Sequence, residues 1–232
     1  MLEKGLFVVF EGIDGSGTST QVNHLQSNIA NTFDHQDIIT THEPWRPSVI
    51  KTHLEKDEDA YSHGKDMTQY YILDREDHLN NSMIPNLKQG AIVLCARYRL
   101  STSAFQGTQG VPHSLIDGLH KQINAPEPDL TFFLDVEYET ARKRIEARAK
   151  PLEKFEKNPK FVKKLIESYE NLVKKNEFGP NYTIDANHLE KNFVEQNGIG
   201  LISLINANQS EEKVAQDVFN SFMLFYDSKI KS

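Results

Sequence analysis

The sequence is poor in the features that mark secreted and membrane proteins. It has one cysteine in 232 residues, so it cannot form an internal disulfide. Cys95 lies in an apolar stretch, which is typical of a buried thiol. No apolar run reaches the roughly 18 residues that a membrane helix needs, and the run that begins at Leu6 is too short for a secretory signal peptide. We therefore expect a cytoplasmic protein with no membrane partner.

Basic residues are also in short supply. The chain has 26 lysines and arginines against 33 aspartates and glutamates, which gives a net charge of −7. This balance argues against a nucleic-acid partner, so an anionic ligand has to meet a local basic cluster. The 9 histidines show no metal-ligand spacing, and we predict no structural metal. The length suits a single domain that spans residues 1–232.

What is present is a regular alternation of short apolar runs and longer helical patterns. Predicted strands cover 6–10, 37–41, 91–95, 130–136 and 201–205, and predicted helices cover about 19–32, 66–88, 101–123, 137–149, 159–177 and 211–226. This order predicts an α/β fold in three layers, in which helices flank a doubly wound, parallel, five-stranded sheet. Ligands of such a sheet bind at the carboxyl ends of its strands. A charged segment at about 148–158 predicts a lid, and 183–200 predicts a surface insertion.

The strongest motif is the glycine-rich loop at 12–20, between the first predicted strand and the first predicted helix. Its glycines allow the backbone N–H groups to form a nest that, with the positive end of the helix, binds a polyphosphate. We assign phosphate binding to Gly12, Gly15, Ser16, Gly17, Thr18, Ser19 and Thr20. Ser19 has the hydroxyl position that usually ligates Mg²⁺, whereas Thr18 stands where the pattern has lysine. A glycine-rich turn without a ligand is the alternative, and the order strand, loop, helix argues against it.

Further motifs follow the loop in a fixed order. They are Glu43-Pro44, Leu73-Asp74-Arg75, Arg97-Tyr98 with Ser101, Ala104-Phe105-Gln106-Gly107, Pro128-Asp129-Leu130 and Phe155-Glu156. Together with the loop they resemble the thymidylate kinase family, over about 5–178 and again over 202–226. The resemblance implies a P-loop NTPase fold, a homodimer, and a kinase that uses MgATP to convert dTMP to dTDP.

The resemblance also implies which residues hold the acceptor. They are Asp14, Glu43, Trp45, Arg46, Tyr71, Arg75, Arg97, Ser101, Phe105 and Gln106. Tyr71 and Arg75 share one helical face, and the corresponding pair in the family stacks on and hydrogen-bonds the thymine base. Phe105 replaces a tyrosine that in the family lies under the deoxyribose. Trp45 and Arg46 are either a hydrophobic wall and a second phosphate contact or ordinary surface residues.

The remaining assignments concern ATP and catalysis. ATP binding is also assigned to Arg144, Asn206 and Ala207, and catalysis to Arg97, Arg148 and Asp14. Arg97 follows the third predicted strand, where a guanidinium suits a bidentate grip on phosphate. Arg144 and Arg148 share a helical face and resemble the arginines that flank ATP and enter its lid in the family. A solvated basic stripe is the alternative for this pair.

Two departures from the family pattern bear on catalysis. Thr18 replaces the loop lysine, and Ala96 replaces the aspartate that usually precedes the Arg-Tyr pair. A charged hydrogen bond is worth about 1.5–3 kcal/mol, so an uncompensated loss of the lysine costs at least about one to two decades in rate. The expected substitutes are Arg97, Arg148 or Lys150 for the lysine and Glu11 or Glu43 for the aspartate.

These departures leave two alternatives open. The loss of both groups is compatible with a catalytically impaired nucleotide binder that serves as a sensor or partner protein. The residues Trp45, Arg46 and Phe105 are compatible with a kinase of another nucleotide or deoxynucleotide. Retention of Tyr71 and Arg97 favours a kinase, because a pure scaffold has no need of an acceptor pocket.

Overall fold

A computed structural model describes residues 5–34, 36–56, 63–148, 150–173, 193–196 and 198–230 of the chain. In these residues strands alternate with helices along the sequence. The elements are β1 (Leu6–Glu11), α1 (Thr18–Thr32), β2 (Ile38–His42), α2 (Pro47–Lys56), α3 (Gly64–His78), α4 (Ile84–Lys88), β3 (Ile92–Ala96), α5 (Arg99–Thr108), α6 (His113–Gln122), β4 (Leu130–Asp135), α7 (Tyr138–Ala147), α8 (Pro159–Leu172), β5 (Phe193–Gln196), β6 (Gly200–Asn206) and α9 (Glu211–Ile230).

The strands form one sheet in the order β2-β3-β1-β4-β6-β5. All neighbouring pairs are parallel except β5 and β6, which are antiparallel. The five predicted parallel strands are confirmed. Strand β5 was not predicted: it lies in the segment 183–200, where we expected only a surface insertion, and adds an antiparallel edge strand there. Residues 183–192 and 197 of that segment lie outside the described residues.

The two faces of the sheet are both covered. Along β1 the side chains alternate, so that Val8 and Phe10 join one apolar cluster while Phe7 and Val9 join the other. Every residue of β1, β3 and β4 is buried, as expected of parallel strands with helices on both sides. The rigid centre of the sheet therefore fixes the loops that leave the carboxyl ends of β1 and β3.

Two helical predictions need correction. The predicted helix at 101–123 is two helices, α5 and α6, because Gly110 adopts a left-handed conformation (φ +85°) and Pro112 is extended. The predicted helix at 66–88 contains a π-helical turn at Leu79–Met83 between α3 and α4. Pro85 follows that turn, and since proline cannot donate an N–H, the wider turn accommodates it. Helix α2 was not predicted.

Among the described residues, no helix is both long enough and apolar enough to cross a membrane.

Candidate active site

The loop between β1 and α1 has the backbone of an anion-binding nest. Gly12, Gly15 and Gly17 all have positive φ, at +153°, +84° and +99°. Gly17 precedes the first turn of α1, and its N-cap position makes no side-chain capping hydrogen bond with any described residue. The first N–H groups of the helix are consequently left for a ligand, with the positive end of the helix dipole behind them.

Packing explains why glycine is needed in this loop. A Cβ at Gly15 would lie 2.5 Å from the carbonyl oxygen of Ala141 in α7, and one at Gly12 would lie 2.9 Å from the carbonyl oxygen of Leu134 in β4. A Cβ at Gly17 would meet no atom of the described residues within 4 Å, so this side of the loop is open in the part of the chain that the structure describes. The buried hydroxyl of Ser16 has no hydrogen-bond partner among the described residues. That hydroxyl is therefore free to donate to a phosphate oxygen.

An open cleft of about 700 Å³ lies over the loop. It is lined by the predicted residues Gly15, Ser16, Gly17, Thr18, Ser19 and Thr20 and by the three arginines Arg97, Arg144 and Arg148. The cleft thus combines backbone donors with positive side chains, as an anion site requires.

The turn from β6 to α9 contributes to this cleft through later residues than predicted. The described residues that line it from this turn are Gln209, Ser210 and Glu211, rather than Asn206 and Ala207. The side chain of Asn206 accepts the backbone N–H of Asn208 at 3.0 Å. Ala207 is buried, and its N–H donates to the carbonyl of Asp135 at 2.7 Å. Asn206 and Ala207 therefore shape the turn.

A second cavity, of about 150 Å³, adjoins the cleft. The predicted acceptor residues that line it are Asp14, Glu43, Tyr71, Arg75, Arg97, Ser101, Phe105 and Gln106. The cavity is also lined by residues that were not predicted to hold the acceptor, namely Pro44, Leu54, Tyr98, Thr102, Glu153 and Phe155. Asp14 and Arg97 line both the cleft and the cavity, so ligands in the two places would meet at these side chains.

Arg97 is the most constrained residue of the site. Its backbone has φ +68°, a conformation that a residue other than glycine rarely adopts. The guanidinium donates from Nη1 to the carbonyl of Gly12 at 2.8 Å, and Nη2 forms an ion pair with Asp14. Ser101 Oγ and Tyr169 Oη lie 3.3 and 3.4 Å from Nη1. The guanidinium is thereby held at the junction of the two cavities.

The guanidinium of Arg97 stays protonated, because its pKa is raised. Burial is the largest single influence and lowers its pKa, but the nearby groups Asp14, Tyr169, Glu11 and Tyr71 together outweigh burial and raise the pKa above its usual value. The side chain is therefore a fixed cation at every pH at which the protein is folded, and it suits a position where negative charge accumulates.

The two glutamates that were expected to replace the missing aspartate are engaged elsewhere. Glu11 is buried and accepts the backbone N–H groups of Tyr98 and Ser101 at 2.8 and 3.1 Å, together with the Ser101 hydroxyl at 2.5 Å. Burial raises the pKa of Glu11. This glutamate thus fixes the start of α5. In the described lining of the phosphate cleft, the carboxylates are those of Asp14 and Glu211.

Arg75 and Glu43 form the buried floor of the smaller cavity. Arg75 is 2% exposed, and its Nε and Nη2 donate to Glu43 Oε2 at 2.7 and 2.5 Å. Nη2 also donates to Thr102 Oγ1 at 3.1 Å, and Nη1 lies 2.5 Å from His120 Nε2. Tyr71 forms part of the wall, where burial raises its pKa to about 12 and keeps the phenol neutral.

Trp45 and Arg46 lie outside this cavity. The Trp45 ring stacks on His78 at 5.2 Å, and Arg46 forms an ion pair with Asp77 at 2.6 Å. The backbone N–H groups of Trp45 and Arg46 donate to the carboxylate of Asp74, at 2.6 and 2.8 Å. The described lining of the cavity contains neither residue, so the structure places them beside the site and not in it.

The predicted lid lies across the smaller cavity. Its single helical turn, Phe155–Lys157, buries the Phe155 ring 5.6 Å from Phe105 and 5.1 Å from Phe161. The buried carboxylate of Glu156 forms an ion pair with Arg148 and accepts the N–H of Glu153 at 2.8 Å. The packing of Phe155 therefore joins the lid to α5 and α8, and Arg142 Nη1 of α7 donates to the Glu156 carbonyl at 2.9 Å. The ion pair between Arg148 and Glu156 lies within the lid itself.

Comparisons with known proteins point to one family. The family model described as thymidylate kinase matches residues 10–197. The chain is 36% identical over 157 residues to the thymidylate kinase of Ruegeria pomeroyi, covering 66% of this chain and 73% of that one. It is 35% identical over 161 residues to the thymidylate kinase of Dinoroseobacter shibae, covering 67% and 76%. A crystal structure of the thymidylate kinase of Ehrlichia chaffeensis has a similar fold, with a TM-score of 0.66 at 23% identity over 95% of this chain and 99% of that chain.

Proposed function

This chain belongs to the thymidylate kinase family, and we propose that it transfers the γ-phosphoryl group of MgATP to dTMP. A dTMP phosphate oxygen would form the new bond to the γ-phosphorus, while the bond from that phosphorus to the bridging oxygen of ADP breaks. The observation that carries this proposal is that Asp14 and Arg97 line both the phosphate cleft and the adjoining cavity. A donor in one and an acceptor in the other would meet there.

The donor half of the site is suited to a triphosphate. The backbone N–H groups from Gly15 to Thr20, the helix dipole of α1 and the unpartnered hydroxyl of Ser16 together provide donors for phosphate oxygens. Mg²⁺ in such enzymes is held by one or two protein oxygens and by the phosphates, and it neutralises charge between them. We propose that Ser19, which is exposed in the cleft, supplies the hydroxyl ligand.

The acceptor half is suited to a deoxynucleoside monophosphate. Arg97, which lines both the cleft and the cavity, would bind the acceptor phosphate and stabilise the charge that builds up on the transferred group. Tyr71 and Arg75 line the cavity and would offer a ring and a buried donor to the base, and Phe105 would lie beside the sugar. Phe155 of the lid closes over this space, which would exclude water from the transfer.

Family membership favours a kinase over the nucleotide-binding sensor that the losses at Thr18 and Ala96 left open. The direct test is release of ADP by the purified protein, with MgATP and a panel of dTMP, dUMP, dGMP and UMP. We expect turnover with dTMP to exceed that with the others. Binding of ATP and dTMP by calorimetry with no turnover of any acceptor would instead establish the sensor.

We also propose, from family membership alone, that the protein works in the cytoplasm as a homodimer. Light scattering of the purified chain measures its mass in solution. A mass of one chain at micromolar concentration, with full activity, would contradict the dimer.

A further inference from the structure

The phosphate cleft contains three arginines, and two of them are already neutralised. Arg97 forms an ion pair with Asp14, and Arg148 forms one with the buried carboxylate of Glu156. In contrast, Arg144 has no carboxylate partner among the described residues. Its Nη2 donates to the carbonyl of Gln209 at 3.0 Å, and its Nη1 lies 3.5 Å from the carbonyl of Gly15. The uncompensated positive charge in the described part of the cleft is that of Arg144.

Close packing of α7 on the glycine-rich loop also fixes the backbone position of Arg144. Gly15 packs so closely on α7 that a Cβ there would lie 2.5 Å from the carbonyl oxygen of Ala141. Ala141 and Arg144 are three residues apart in α7, so they share one helical face. The contact of α7 with the loop therefore sets the position from which the guanidinium approaches the phosphate-binding N–H groups.

Thr18 lacks the cation that the loop pattern calls for. In that pattern the lysine at this position reaches the terminal phosphates of the nucleotide. Thr18 lines the same cleft as Arg144, and its short neutral side chain provides those phosphates with no cation from α1. The position that lacks its lysine, Thr18, and the arginine without a described carboxylate partner, Arg144, thus line the same cleft.

The geometry points to Arg144 as the residue that takes over the electrostatic role of the missing loop lysine at the donor phosphates. This inference rests on the proposed kinase function, and it assigns to Arg144 a contact with the β- and γ-phosphates instead of a contact with the adenine alone. A guanidinium provides the charge and a fork of donors that suits phosphate oxygens.

A double-mutant cycle tests this substitution. We would measure kcat with MgATP and dTMP for Arg144→Met, Thr18→Lys and the double variant, with Arg148→Met and its Thr18→Lys double as the matched pair. Cations at the transferred phosphoryl group are worth up to about 10³–10⁵ in rate, so Arg144→Met should lower kcat by about 10²-fold or more. Thr18→Lys should then raise kcat by about tenfold or more in the Arg144→Met background. In the Arg148→Met background it should raise kcat by no more than it does in the wild type.

Equal effects of Thr18→Lys in the wild-type and Arg144→Met backgrounds would overturn the inference, because they would show that the two positions act independently. An unchanged kcat in Arg144→Met would do the same. Arg144→Lys should recover part of the rate, since it retains the charge.

Calorimetry separates this inference from the proposed function. If the wild type does not turn over dTMP, the proposed function fails, and the affinities of ATP and adenosine still test Arg144. We expect Arg144→Met to lower the affinity for ATP by about tenfold or more and to leave the affinity for adenosine unchanged. Equal weakening of both ligands would place Arg144 at the base and overturn the inference.

Discussion

Arg75 Nη1 and His120 Nε2 lie 2.5 Å apart in the buried floor of the acceptor cavity. Because arginine can only donate, Nε2 must accept, and the imidazole must be neutral. Burial, together with the charges of Arg75 and Arg99, lowers the pKa of His120 to about 2. His120 therefore supports Arg75 as a neutral acceptor, while Glu43 balances the charge of Arg75 on the other side.

This contact predicts a specific loss of stability in acid. The unfolded chain binds a proton at His120 as the pH falls through about 6.5, whereas the folded protein does not until about pH 2. Stability contributed by the neutral imidazole is present above pH 6.5 and is lost below it, by about 1.4 kcal/mol per pH unit.

The variant His120→Gln retains an acceptor for Arg75 and cannot titrate. Between pH 7 and pH 5, the free energy of unfolding in urea should fall by about 2 kcal/mol more for the wild type than for this variant. The same loss in both proteins would show that His120 is protonated in the folded state or does not contribute to the pH dependence.

Arg97 should be required for chemistry more than for binding of ATP. Replacement by Met removes the cation that joins the phosphate cleft to the acceptor cavity, and we expect kcat to fall by about 10³-fold. Arg97→Lys should retain the charge but lose the fork of donors that contacts Gly12 and Asp14. Its kcat should lie between those of the wild type and Arg97→Met. Initial rates at saturating ATP and dTMP measure this.

The matched control is Lys164→Met, on the exposed face of α8, which should keep the wild-type rate. The affinity of ATP, measured by calorimetry, should change by less than about threefold in Arg97→Met. A fall in rate of less than tenfold would remove Arg97 from the catalytic role.

Arg46 should matter little for the acceptor, although the sequence suggested a phosphate contact. Its side chain is 60% exposed and its partner is Asp77 at the surface. Exposed ion pairs contribute about 0–1 kcal/mol, so Arg46→Ala should change the KM for dTMP by less than about fivefold and leave kcat intact. A KM raised by tenfold or more would show that Arg46 moves to the acceptor phosphate when dTMP binds.

The central fold was predictable because its signal is local. Strands β1, β3 and β4 are buried on both faces, so each appears in the sequence as a short continuous apolar run. Strand β5 has four residues and only two apolar side chains, so its pairing with β6 depends on tertiary contact. The break between α5 and α6 had a local signal in Gly110 and Pro112, but apolar spacing on both sides suggested one helix.

The candidate site was predictable where motifs coincide with the carboxyl ends of strands. The loop after β1 and the Arg97 position after β3 are of this kind. Thr102 was missed, although it lies four residues before Gln106 on the same face of α5, and helical spacing would have found it. His120 had no such signal, because α6 brings it under Arg75 only through packing.

The lid contact between Phe155 and Phe105 should suppress unproductive hydrolysis of ATP. The rings are 5.6 Å apart, and the Phe155 side chain is buried against α8 as well. Its replacement by Ala removes an aromatic anchor, which typically costs about 3–5 kcal/mol when the ring is fully buried in a core. The lid should then stay open for longer, and water should reach the γ-phosphoryl group more often.

We therefore expect Phe155→Ala to raise the rate of ADP release in the absence of dTMP and to raise the KM for dTMP. Lys157→Ala, at an exposed position of the same turn, is the control and should leave both values unchanged. A general loss of stability would instead lower the rate of ADP release both with and without dTMP, because less of the protein would be folded. A proportional fall of ADP release in the presence and in the absence of dTMP would show that Phe155 supports the fold and does not gate the site.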